Sequence, residues 1–526
     1  MTVRSFSLVA ALVLVPAMAR SEAAAEPAAA PAAPAAAAEP ADQQTPSAGP
    51  GSSSSVVIPP KLQERTDFQL SLTTLEALRK KGAITEDEYN SALRDLISVG
   101  QRASSAPTFV VGRFVTTLYG YLEGDVIHDS QRAALDSYGG NPTLQLPGTF
   151  LGDNGRTVFS SRGTRLGMRF AAPEVSGIRV RANFEMDFVG NQPGTPATTP
   201  PTTARTISEA NFFANATPRI RIALAQVDTD FVTLSIGQTW NLMAFAAAYL
   251  PTSVQPQGLP GQLFGRNPQV RLSHIFDAKV FSVEAAAAAV RSPQFDAEMP
   301  DLQGGLKFNI NGWTGVQSIG STATVVSPAS IAVTGSTRKI KMASAVSGAN
   351  ALAYDTVVGN VVALNAFVPL IPASQRGPFA LSLLGEASTG TGMADLFTGL
   401  SGGAAIGTPI GVTAANYAGF TDIDAGIAGF NRAGKLDTVD FRTLLVGAQF
   451  SLGKVVLAGS YSNVYSDNAQ QFAGTWNQQA WWDANLFVDP WTGVRFGLEF
   501  ARTLQRRTTN QLANNSRVFF GTFFLF

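Results

Sequence analysis

Period-two alternation of apolar and polar residues dominates the chain from about residue 106 onward. Along residues 178–188, Ile178, Val180, Ala182, Phe184, Met186 and Phe188 alternate with Arg179, Arg181, Asn183, Glu185 and Asp187. One face is wholly apolar and the other wholly polar, so the segment is predicted to be a strand whose two faces meet different media. Residues 165–170 repeat the pattern, with Leu166, Met168 and Phe170 opposite Arg165, Gly167 and Arg169. The Pro-Glu-Val-Ser-Gly stretch between them, residues 173–177, predicts a turn. Within residues 112–129, Leu118, Gly120, Leu122, Gly124 and Val126 lie opposite Tyr119, Tyr121, Glu123 and Asp125. Similar segments fall at 219–224, 232–240, 444–451, 455–465, 482–488 and 494–500.

A soluble sandwich alternates too, but its apolar face tolerates small polar residues, and here that face is uniform. About ten residues per strand also suits a tilted bilayer crossing. The expectation is an all-β transmembrane barrel over residues 106–526, with about 16 antiparallel strands; fourteen and eighteen remain open. Leu, Phe and Met then meet lipid, and Arg faces a watery lumen. Between residues 313 and 420 the alternation is hard to place. Residues 191–204 and 385–403 read as loops. Trp476, Trp481, Trp482 and Trp491 suggest an interfacial girdle. The final segment puts Val518, Phe520, Thr522, Phe524 and Phe526 on one face. Phe526, with Phe524 and Phe520 behind it, resembles the terminal signal read by the outer-membrane assembly machinery.

The first hundred residues follow another logic. Residues 1–19 form an expected secretory signal peptide: Arg4, an apolar run from Leu8 to Val15, then Ala17-Met18-Ala19. Residues 20–65 are an Ala/Pro/Ser-rich linker, which at polyproline rise spans up to about 120 Å. Residues 66–100 carry two helical stripes, Phe68, Leu72, Leu75, Leu78 and then Tyr89, Leu93, Leu96. Gly82 and a Thr85–Glu88 capping box separate them. A helical hairpin this small buries little surface alone, so it is expected to be a periplasmic oligomerisation element.

Composition supports this picture. Only 14% of residues are charged, against roughly 25% in soluble proteins. Glycine (49) and phenylalanine (34) are abundant, cysteine is absent, and formal net charge is zero. Thiolate chemistry and a bulk basic surface for nucleic acid are thereby excluded. The absence of Cys also rules out lipoprotein anchoring. No metal-ligand spacing, phosphate loop or dinucleotide fingerprint appears, so neither metal nor cofactor is expected.

The candidate chemistry lies in charge placement. From residue 106 onward there are 23 Arg and 6 Lys against 27 acidic residues, an excess of only two positive charges. Yet Arg165, Arg169, Arg179 and Arg181 fall on the lumen face of neighbouring strands, and Arg219 and Arg221 repeat the spacing later. Glu185 and Asp187 share that face. These eight are the expected pore-lining residues. Two readings stay open: an arginine ladder that attracts anions through planar, permanently charged forks, or arginines paired structurally with acids. Catalytic alternatives are weaker. Residues 399–403 match G-x-S-x-G without the strand–turn–helix context. His128 lies close in sequence to Asp125 and Asp129, which keeps a barrel enzyme or a loop-plugged binding or structural barrel as the alternative.

Short motifs add a resemblance. Thr117-Leu118-Tyr119-Gly120-Tyr121 with Asp125 and Asp129, Ser161-Arg162-Gly163-Thr164-Arg165-Leu166-Gly167, and Ile236-Gly237-Gln238-Thr239-Trp240 resemble strands of the DcaP-like outer-membrane porins. The order of signal, helical segment, barrel and terminal Phe is similar as well. The resemblance implies a homotrimeric, sixteen-stranded channel in the outer membrane with its N-terminal segment in the periplasm. It also implies an arginine-lined lumen passing small anionic solutes, dicarboxylates included. The long Ala/Pro linker and residues 313–420 depart from that family's pattern.

Overall fold

The computed structural model describes residues 108–131, 144–190, 217–244, 260–294, 297–317, 325–373, 379–397 and 403–526 apart from 475, and, before them, Glu76, Arg79, Lys80, Thr85 and Tyr89. The expected signal peptide, the linker and most of the helical hairpin lie outside the described residues. Tyr89 is helical, its N–H bonding the Thr85 carbonyl at 2.9 Å, and the Arg79 guanidinium stands 4.3 Å over its ring.

The strands form one antiparallel sheet closed on itself. In chain order they are β1 (Thr108–Val111), β2 (Phe114–Asp129), β3 (Arg156–Ser160), β4 (Arg165–Ala171), β5 (Arg179–Asp187), β6 (Arg219–Asp228), β7 (Thr233–Trp240), β8 (Arg266–Asp277), β9 (Phe281–Val290), β10 (Asp301–Gln317), β11 (Val325–Ser347), β12 (Asn350–Ile371) and β13 (Phe379–Thr391). After the small hairpin β14 (Ala428–Phe430) and β15 (Leu436–Thr438) come β16 (Asp440–Leu452), β17 (Val455–Tyr465), β18 (Trp476–Trp491), β19 (Val494–Arg507) and β20 (Leu512–Leu525). Both β3 and β4 pair with β2 and make one interrupted crossing, while β1 is a short return on β2. The barrel therefore has 16 crossings. It closes where β20 pairs with β2, Phe520 opposite Val126 and Arg517 opposite Asp129. Phe526 and Gly120 exchange both backbone hydrogen bonds at 3.0 Å. The Arg517 guanidinium grips the Asp129 carboxylate at 2.8 and 3.0 Å across this seam.

Alternation sorts side chains as the two-medium pattern requires. On β2, Leu122 and Val126 are exposed on the outer face, whereas Tyr121, Glu123, Asp125 and Asp129 are buried inward. On β20, Val518, Phe520 and Phe524 face outward, and Arg517, Phe519 and Phe523 inward. An apolar outer belt around a polar interior defines a transmembrane β-barrel. Connections on one end are short, such as 172–178, 229–232, 278–280, 453–454 and 492–493; on the other they include 188–218, 241–265 and 392–439. The turn expected at 173–177 is present, with Ser176 and Gly177 at positive φ.

Two expectations are corrected. Residues 385–391, read as loop, belong to strand β13, because its small residues Gly385, Ala387 and Gly390 hide the alternation. The tryptophans do not form one girdle. Trp482 and Trp491 face outward, but Trp481 is buried inward with its indole N–H on Asp483 at 3.0 Å, and Trp476 is buried at the loop end. Between residues 313 and 420, β11 and β12 run 23 and 22 residues, well beyond a bilayer crossing.

Gly167 sits directly opposite Tyr119, and a Cβ there would strike the Tyr119 ring. Gly167→Val should therefore lower unfolding stability by about 1–3 kcal/mol, seen as an earlier urea midpoint and loss of heat-modifiable mobility in detergent gels.

Candidate functional site: a charged wall and two infolded loops

The charged wall is built by β2, β4, β5 and β6. Tyr119, inward on β2, lays its ring in the space left by Gly167. Its hydroxyl donates to Asn183 Oδ1 at 2.9 Å and Glu185 Oε2 at 3.0 Å. Glu185 also receives Arg221 Nε at 2.7 Å and faces Arg165 Nε at 3.6 Å. Asp187 receives Arg221 Nη1 at 2.8 Å and Arg219 Nη2 at 2.6 Å. Nearer the turn end, Arg181 Nη2 lies 2.6 Å from Asp228, whose second oxygen accepts from the Thr233 hydroxyl at 2.9 Å. The sheet slips register between β5 and β6 at Glu185/Met186. That bulge turns both Arg221 and Ile222 inward and brings Arg221 between two carboxylates.

All eight residues expected to line the pore lie on the inner face. The structure brings Arg165, Arg219 and Arg221 together with Glu185 and Asp187, and sets Arg181 with Asp228. Arg169 instead stacks over the Tyr119 ring at 4.2 Å. The Arg179 side chain has no hydrogen bond or ion pair among the described residues. The interior is thus a lattice of alternating sign in which pairing offsets the repulsion between close arginines. Exposure is unequal within it: Arg181 and Arg219 side chains are 29% and 33% exposed, their partners Asp228 and Asp187 only 3% and 0%. Arg169 is exposed and Arg179 half-exposed. Asp228 and Asp187 lie underneath, and the guanidinium groups of Arg181 and Arg219 reach past them towards the lumen, while those of Arg165 and Arg221 are buried with Glu185.

Sequence reasoning missed the loops. The connection 241–265 carries no charged residue. It leaves through Asn241, whose N–H bonds the Gly265 carbonyl, and Leu242, whose N–H donates to Gln303 Oε1 at 2.8 Å. Gly261 packs so closely on Asn463 and Thr443 that a Cβ would collide with the Asn463 carbonyl. Those residues belong to β17 and β16, across the ring from β7 and β8. Leu263 N–H donates to Glu386 Oε1 at 2.6 Å, and Phe264 N–H to the Leu396 carbonyl at 2.6 Å. Residues 261–264 thus lie against the far wall, and Gly265 is back beside Asn241 at the start of β8.

The connection 392–439 folds into the loop-end mouth. Phe397, Tyr417, Ile427, Phe430 and Leu436 form a buried apolar cluster with Ile340 and Met342 of β11 and Phe441 of β16. A buried clamp fastens it: Arg338 on β11 holds Asp301 of β10 at 2.6 Å and Asp395 of the loop, and bonds the Gly392 carbonyl at 3.2 Å. Removing Arg338 leaves two buried carboxylates without their cation, at a cost of about 3–5 kcal/mol. The local signals were weak: an uncharged 25-residue stretch for the first loop, and scattered aromatics for the second.

The His–Asp alternative loses its geometry. His128 points outward, its Nδ1 2.9 Å from the Thr157 hydroxyl, whereas Asp125 and Asp129 point inward. Neighbouring residues on a strand face opposite ways, so proximity in sequence misled. His274 is also outward, edge-on to Phe276. Residues 399–402 of the G-x-S-x-G match are outside the described residues.

Fold and wall define an antiparallel transmembrane β-barrel of 16 crossings with a charged interior. The chain is similar to the outer membrane channel DcaP of Acinetobacter baumannii, at 16% identity and TM-score 0.54, over 80% of this chain and 99% of that one. This agrees with the resemblance drawn from the strand motifs and shows the shared fold. A more distant likeness links it to the anion-selective porin from Comamonas acidovorans (11% identity, TM-score 0.42, 78% and 100% covered). No protein-family model and no curated protein matches the sequence.

Tyr417, whose hydroxyl donates to the Ala343 carbonyl at 2.9 Å, is pushed up to about 12 by burial, with Asp422 and Asp355 adding to the rise. A raised pKa means the folded loop holds the phenol proton more tightly than the unfolded chain. Its stabilising contribution should be complete below pH 10 and disappear as pH climbs towards about 12. Melting temperatures by circular dichroism should show this decline, and Tyr417→Phe should lack it.

Proposed function

We propose that the chain is an outer-membrane porin, a passive diffusion channel preferring small anionic solutes, dicarboxylates included. The observation that carries the reading is the unequal exposure of the ion-pair lattice. A solute moving along β4–β6 meets Arg169, Arg179, Arg181 and Arg219, while Asp187, Asp228 and Glu185 stay behind them. Guanidinium forks suit carboxylate and replace part of its hydration. Nothing in the described residues couples energy to movement, so solutes run down their gradients. The apolar belt would contact outer-membrane lipid, with Phe526, Phe524 and Phe520 serving assembly. In this reading residues 1–19 direct export. Residues 20–65 act as a tether, and the helical hairpin at 66–100 sits in the periplasm and brings three chains together.

The infolded loops favour a second reading, a loop-plugged barrel that binds or scaffolds rather than conducts. Planar-bilayer recording separates the two. A stable conductance with a reversal potential of anion sign across a salt gradient is expected. A cation or near-zero sign would remove the anion preference, and no conductance from folded oligomer would leave the plugged barrel.

The double variant Arg169→Gln, Arg179→Gln touches arginines without a carboxylate partner among the described residues. It should reduce the anion-to-cation permeability ratio by about two- to fivefold at 0.1 M salt and by less at 1 M, because screening shortens the reach of the charge. An unchanged ratio would remove the arginines from selectivity.

A further inference from the structure

A second group of arginines lies on the outside of the barrel. On β19 the outward residues Phe496, Leu498 and Phe500 are apolar, and the series then changes to Arg502, Leu504 and Arg506. The change coincides with an aromatic row. Tyr461 pairs laterally with Trp482, Trp482 with Arg502, and Arg502 with Ser516. Tyr461 and Trp482 are exposed, as aromatics at a membrane–water boundary are. Arg502 therefore stands at the upper edge of the lipid belt on the loop end, and Arg506 one step beyond it.

Neither arginine has a carboxylate partner among the described residues. Arg502 donates to Asn514 Oδ1 at 3.4 Å and Arg506 to Gln478 Oε1 at 3.2 Å, both neutral amides. Arg442, three strands away on the same face, is by contrast neutralised by Asp467. A guanidinium offers five N–H donors, so one amide contact leaves most of each fork open. The two Cα atoms lie about 13 Å apart along the strand, a spacing that gives each fork its own anionic group.

We infer that the outward face of β19, through Arg502 and Arg506, binds the phosphate-bearing headgroup of an anionic lipid. Cationic side chains at headgroup depth attract anionic lipid, and the guanidinium fork matches phosphate oxygens bidentately. Tyr461 and Trp482, in register beside Arg502, would pack where the headgroup meets the acyl chains. Asn514 and Gln478 hold the two arginines against the sheet instead of letting them sweep through solvent. The site lies on the outside of the wall and is independent of what passes through the lumen.

The test is a titration of the purified full-length protein in mixed micelles containing phosphatidylglycerol or phosphatidylcholine, with bound lipid read by native mass spectrometry. Phosphatidylglycerol should bind in preference to phosphatidylcholine. Arg502→Gln with Arg506→Gln should weaken it at least about tenfold, and the double Lys variant should recover part of the loss. Wild-type affinity in a folded Gln variant, or equal binding of the two lipids, would overturn the proposal. Displacement by inorganic phosphate at equal concentration would reduce the site to one for free phosphate. If the double Gln variant does not assemble, Arg506→Gln alone reports on the same site.

Discussion

Closure of the sheet is the constraint on which everything else rests. Within hydrocarbon no water satisfies a free N–H or C=O, so a spanning sheet must leave no edge. The seam between β20 and β2 meets that demand through the paired Phe526 and Gly120 and the Arg517–Asp129 fork. Closure also fixes which residues share the lumen. Strands far apart in sequence become neighbours, and every second side chain is committed to water or to lipid.

That commitment explains how so many arginines are tolerated. Inward arginines on adjacent strands stand close together, and an unrelieved row would repel. Glu185, Asp187 and Asp228 lie beneath them and offset the charge. Because the acids are short and the arginines long, neutralisation at the wall and presentation towards the lumen are compatible. A nearly neutral barrel thus turns its more exposed arginines towards the lumen. The same length difference leaves Arg169 on the Tyr119 ring, where the aromatic face replaces a carboxylate as its support.

The loops act on the same interior from the other direction. Residues 261–263, ahead of β8, lie against β13, β16 and β17, and Glu386 holds Leu263 there. The 392–439 connection packs an apolar cluster into the mouth, with Arg338 clamping it to β10 and β11. Apolar packing inside a polar lumen works here because the loop brings its own hydrophobic partners and covers the inner faces of the long β11–β12 hairpin.

Alternation along the chain was enough to establish an antiparallel transmembrane barrel, the inward placement of the arginines on β4–β6 and the outward placement of Phe520 and Phe524. These follow from a strict period of two, which is local. Small residues weakened the signal where it failed: β13, rich in Gly and Ala, looked like loop. What the sequence left open was decided by contacts between distant segments. Whether Arg221 meets Glu185 depends on a bulge, whether His128 meets Asp125 on which face each takes, and whether a loop hangs free or lies against the far wall on what its far end touches. Pairings of that kind exist only once the sheet has closed, because closure is what brings β7 and β17, or β11 and residue 395, within reach of one another.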